Sequence, residues 1–93
     1  MQEFVLVGQV SSDDPEAVGR VLWEVLPAGS TIAGIAEGFQ VEARLRGESA
    51  RELNRTLLSA LRRVCRRTRL RAEWTDAHGR RERFFDYAAR GSS

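Results

Sequence analysis

Few side chains in this 93-residue chain are equipped for bond-making chemistry. His78 is the only histidine, and it stands beside Gly79 where a turn is expected. Cys65 is the only cysteine, so no intrachain disulfide can form, and it reads as a small hydrophobe at the margin of a helical core stripe. A metal centre would gather several His, Cys or carboxylate ligands at close spacing, and no such spacing occurs. No serine sits in a G-x-S-x-G context, and neither a P-loop nor a G-x-G-x-x-G run is present. Asp13 and Asp14, followed by Pro15, suit a helix start better than acid–base work. These features argue against an enzyme and against a bound cofactor or metal.

Two other groups carry the functional interest. Every fixed cation is an arginine, and lysine is absent. Usage this uniform fits genome composition, yet it places all positive charge on planar, five-donor groups suited to phosphate, carboxylate and aromatic partners. Residues 1–46 hold seven acids and three arginines, whereas residues 47–93 hold six acids and twelve arginines. Arg51, Arg55, Arg62 and Arg66 fall within about 60° of one another on a helical wheel. That row is either a solvated face or a contact for an anionic partner, an acidic protein surface or nucleic acid. The second group is Phe84, Phe85 and Tyr87. Consecutive strand residues point to opposite faces, so one of Phe84 and Phe85 must leave the core side. Exposed aromatics on a terminal edge strand invite association. Trp23 lies to one side of a helical stripe, where it either closes the core edge or reaches a partner.

Positioning these groups requires the following elements. Glu3 to Val10 reads as a central strand, with Phe4, Leu6, Gly8 and Val10 on one face and Val5 and Val7 on the other. Asp14 caps a helix with Pro15 at its first position, and Val18, Val21, Leu22 and Val25 form its stripe, with Leu26 at the edge. Pro27 to Gly29 ends it. Thr31 to Glu37 is a strand, Gly38 marks a turn, and Phe39, Val41, Ala43 and Leu45 alternate with polar residues in the next strand. Ser49 to Glu52 is a capping box. The helix it opens is expected to run to about Arg67, with Leu53, Leu57, Leu61 and Val64 as its core stripe and Asn54 and Cys65 at the margin. Leu70, Ala72 and Trp74 alternate in a further strand. Asp76 to Gly79 makes a turn, and Arg81 to Tyr87 returns as the second arm of a hairpin.

The order is β-α-β-β-α-β with an added C-terminal strand. It matches the ferredoxin-like split βαβ pattern, an antiparallel sheet with two helices on one face, in an α+β fold. One domain is expected over residues 1–88, with 89–93 as a frayed tail. No apolar run approaches the length of a membrane span, and the N-terminus lacks the basic region and the small-residue cleavage site of a signal peptide. With its lone cysteine, the chain is expected in the cytoplasm.

Three family patterns bear on function. Acylphosphatases carry a phosphate-binding arginine in a Gly-rich first loop; here Ser11 to Pro15 is acidic instead. RNA-recognition motifs expose aromatics on two central strands, whereas Phe39 is expected in the core. Asp13-Asp14-Pro15-Glu16 resembles the first loop of the ACT regulatory domain, with Glu16 in place of its glycine, and that resemblance implies small-ligand sensing. The leading expectation is a non-enzymatic interaction domain acting as a homodimer or on a protein partner, through Phe84, Phe85, Tyr87 and Trp23. Nucleic-acid binding by Arg51, Arg55, Arg62 and Arg66 is the alternative, and ACT-like regulation is the third.

Overall fold

The computed structural model describes residues 1–89, with side chains through Tyr87. It is a small α+β domain of five strands and two helices. The elements are β1 (Gln2–Ser12), α1 (Pro15–Val25), β2 (Thr31–Ile35), β3 (Gly38–Gly47), α2 (Ala50–Arg62), β4 (Arg67–Asp76) and β5 (Arg81–Ala89). The strands form one antiparallel sheet in the order β2-β3-β1-β4-β5. Strand β5 extends one residue into the segment expected to fray, and residues 90–93 lie outside the described residues.

β1 sits at the centre because it is apolar enough to be paired on both sides. Leu6 is level with Ala43 of β3 and Trp74 of β4. Phe4, Leu6 and Val10 are buried on one face with Val41, Ala43, Leu70, Ala72 and Trp74. Val18, Val21 and Leu22 of α1 and Leu57 and Leu61 of α2 cover that same core. The shortest dimension of the molecule is 20 Å, room for one helix layer on one sheet. The opposite sheet face is therefore bare. Gly38 belongs to β3 rather than to a turn, which falls at Ala36–Glu37. Its backbone lies so close to the Val10 carbonyl that any Cβ would collide with it.

Both helices end earlier, or turn further, than the apolar spacing implies. α1 stops at Val25, and Leu26 takes an extended conformation while its N–H still donates to the Leu22 carbonyl. Leu26 is thereby buried in place of Val25. α2 stops at Arg62 rather than about Arg67. The Leu61 carbonyl accepts from both Val64 N–H, at 3.2 Å, and Cys65 N–H, at 3.1 Å, which closes the helix in a tight turn. Beyond it the sheet takes over. Arg67 N–H donates to the Asp13 carboxylate, Asp13 N–H donates to the Arg67 carbonyl, and Thr68 pairs with Ser12 of β1. Cys65 is buried and Val64 is 43% exposed, the reverse of the expected stripe.

Candidate functional site

The period-two alternation of β4 and β5 creates the most distinctive surface. Thr68, Leu70, Ala72 and Trp74 face the helices, so Arg69, Arg71, Glu73 and Thr75 face out. On β5, Phe84 and Asp86 turn toward the helices, and Arg81, Arg83, Phe85 and Tyr87 turn to the bare face. The hairpin register sets Arg69 opposite Tyr87, Arg71 opposite Phe85 and Glu73 opposite Arg83. The Arg71 guanidinium stands over the Phe85 ring, 4.9 Å from its centroid, and Arg69 stands 5.8 Å from that of Tyr87. Arg83 Nε donates to Glu73 Oε2 at 2.9 Å. Despite these contacts Phe85 remains 65% exposed and Tyr87 55%.

The rows continue across the sheet. Arg71 is level with Gln9 of β1, which is level with Gln40 of β3; Arg69 is level with Ser11. A solvent-open depression of about 610 Å³ lies here, lined by Val7, Gln9, Gln40, Arg71 and Phe85 among others. A neighbouring one of about 170 Å³ shares Gln9, Arg71 and Phe85 and adds Ser11, Ile35 and Arg69. By strand register the bare face carries Arg44, Arg46, Arg67, Arg69, Arg71, Arg81 and Arg83 against Glu3, Glu42 and Glu73. It is a cationic, partly aromatic, open surface.

The other residues singled out from the sequence are dispersed. Phe84 is half-buried against the core, so of the aromatic trio only Phe85 and Tyr87 share the bare face. Trp23 is 69% exposed on α1, in the helix layer on the other side of the molecule, and does not close the core edge. Arg51, Arg55 and Arg62 are exposed along α2. Arg66 lies beyond the end of that helix, so the four-residue helical row does not form. Asp14 accepts from Ala17 N–H as the α1 cap. His78 is exposed in the β4–β5 turn. Among the described residues no three or more His, Cys, Asp and Glu side chains gather as a metal site.

That turn is built by Asp76. Its Oδ1 accepts from the backbone N–H groups of Arg80 and His78, each at 2.9 Å, and Gly79 takes a positive φ of 81°. The Arg80 N–H holds the Asp76 carboxyl below its ordinary pKa. Desolvation works against this, and the His78 N–H adds to the lowering.

Two features escaped the sequence reading. The pairing of Arg69 and Arg71 with the β5 rings depends on hairpin register, which the long turn does not announce. Asn54, placed at the stripe margin by sequence, is buried. Its Oδ1 accepts from Trp74 Nε1 at 3.1 Å and its Nδ2 donates to Asp86 Oδ2 at 2.8 Å. The signal for it was present: Ala50, Asn54, Leu57 and Leu61 follow helical spacing, and a core tryptophan needs an acceptor.

Comparison with protein-family models, curated proteins and solved structures finds no match to this chain. No helix among the described residues is long and apolar enough to cross a membrane.

Proposed function

We propose that the chain is a non-enzymatic interaction domain that self-associates through β5, most simply as a dimer. The observation that carries this is the last strand. Among the described residues β5 is a nine-residue edge strand that pairs only with β4, and it bears the exposed Phe85 and Tyr87. A free edge of that length is a template for a further strand. An identical strand is the simplest one available, because a two-fold pairing closes on itself. It would hydrogen-bond the open backbone and bring the rings of two copies side by side. A strand from a protein partner would use the same edge.

The finer reading of the fold is a ferredoxin-like split βαβ with β5 added beside β4. The order β2-β3-β1-β4 and the helical crossovers after β1 and β3 support it. A reducing, cytoplasmic setting is supported by the single buried thiol. ACT-like ligand sensing has less behind it, since Asp13 and Asp14 are already engaged by Arg67 N–H and Ala17 N–H.

Light scattering at micromolar concentration tests the association. The expected mass is twice the 10.5 kDa of the chain, falling to the monomer when Phe85→Lys and Tyr87→Lys place like charges along the edge. A wild-type chain that stays monomeric at high micromolar concentration rules the reading out.

A further inference from the structure

The bare sheet face stays open when a second copy is added at the β5 edge, and its chemistry is too specific for a merely solvated surface. Phe85 and Tyr87 are two residues apart on one strand, so their rings rise about 6.6 Å apart along it. Each is flanked by an arginine, at 4.9 and 5.8 Å from the ring centroid. Arg44, Arg46, Arg67, Arg69, Arg71 and Arg81 make no ion pair with the described residues; Glu73 is already held by Arg83. Gln9 and Gln40 supply exposed amides, each both donor and acceptor, in the same row as Arg71 and Phe85.

We infer that this face binds single-stranded nucleic acid, stacking two bases on Phe85 and Tyr87 while the unpaired arginines neutralise backbone phosphates. The ring spacing is about twice the 3.4 Å rise of stacked bases, so it suits bases that are splayed out. A single strand can splay them and a duplex cannot. Charge argues against a second copy seated on this face, since seven arginines and three glutamates would meet their own like. The arginines of α2 have the charge without any ring beside them, so they are not the site. This inference uses the face of the sheet, and the dimer reading uses its edge. Either can fail alone.

The test is fluorescence anisotropy with labelled pyrimidine oligonucleotides, as DNA and as RNA, at low salt, alongside light scattering on each variant. Wild-type protein is expected to bind single strands with a log K against log salt slope of up to about −4, the six unpaired arginines each displacing a counterion. Phe85→Leu and Tyr87→Leu, which keep apolar bulk and strand propensity, are expected to weaken binding roughly tenfold each. Arg71→Gln should flatten the slope, and Arg51→Gln with Arg55→Gln should leave affinity within about twofold. Duplex of the same sequence should compete poorly. Equal competition by duplex overturns the inference, as does unchanged affinity in both leucine variants. Absence of binding at low salt also overturns it. A dimeric mass in that last case leaves the association reading standing, whereas a monomer removes both.

Discussion

Asn54 is where α2, β4 and β5 are joined by one side chain. It satisfies the indole N–H of Trp74, the largest fully buried side chain, and meets Asp86 across to β5. Removing it strands a buried donor, which costs more than the hydrogen bond itself contributes. Asn54→Ala is expected to lower stability by about 2 kcal/mol, read as a denaturation midpoint shift with unchanged slope. Asp76 acts at the same scale on the hairpin turn. Its folded pKa is lowered, so its contribution is present above the unfolded value of 3.8 and is lost as pH falls through the folded value. The protection of the His78 and Arg80 amides relative to their intrinsic exchange rates should fall selectively in acid below about pH 4, and Asp76→Ala should show the lower protection already at neutral pH. An unchanged exchange rate in that variant would mean the turn does not depend on the carboxylate.

At the scale of elements, α2 shows how far periodicity reads and where it stops. Ser49 and Glu52 announce its start, and Ser49 Oγ accepts from Glu52 N–H at 3.1 Å. Ser49→Ala should cost about 1 kcal/mol. The end is decided elsewhere. Arg67, expected at the end of the helix, is drawn with Thr68 into the sheet by Asp13 and Ser12, and strand pairing outweighs helix propensity. The consequence is measurable in a pair of variants. Leu61→Ala should lose about 2 to 5 kcal/mol, and Val64→Ser should change stability by about 0.5 kcal/mol or less. Equal losses at the two positions would restore the stripe that ends on Val64. On β5 the period-two rule placed one of Phe84 and Phe85 outside the core, and the register selected Phe85.

Over the whole molecule, charge and apolar surface are divided between two unlike faces. The helix layer shows Arg51, Arg55 and Trp23, and the bare sheet shows arginines interleaved with rings. Arg51 and Arg55 stand one turn apart with like charge. Arg55→Gln should therefore raise thermal stability slightly, by a few tenths of a kcal/mol, most visibly at low salt. A loss of stability would instead mark that arginine as a structural partner. The same substitution on the sheet side, at Arg71, removes a guanidinium from above a ring and should not give that gain.

The amino-acid sequence by itself determined the elements, their order and most of the buried residues. Caps, turn residues and the alternation of apolar side chains are local, and each is fixed within a few positions. It also determined that one of Phe84 and Phe85 must be left outside the core. Only the tertiary structure decided where α2 ends, which side of its stripe is buried, and which arginines meet rings. Those outcomes depend on contacts between positions far apart in the chain: Asp13 with Arg67, Asn54 with Trp74 and Asp86, Arg71 with Phe85. Arginines abundant along the whole chain look alike in sequence. Hairpin register alone picks out Arg69 and Arg71 as the two that stand over the β5 rings.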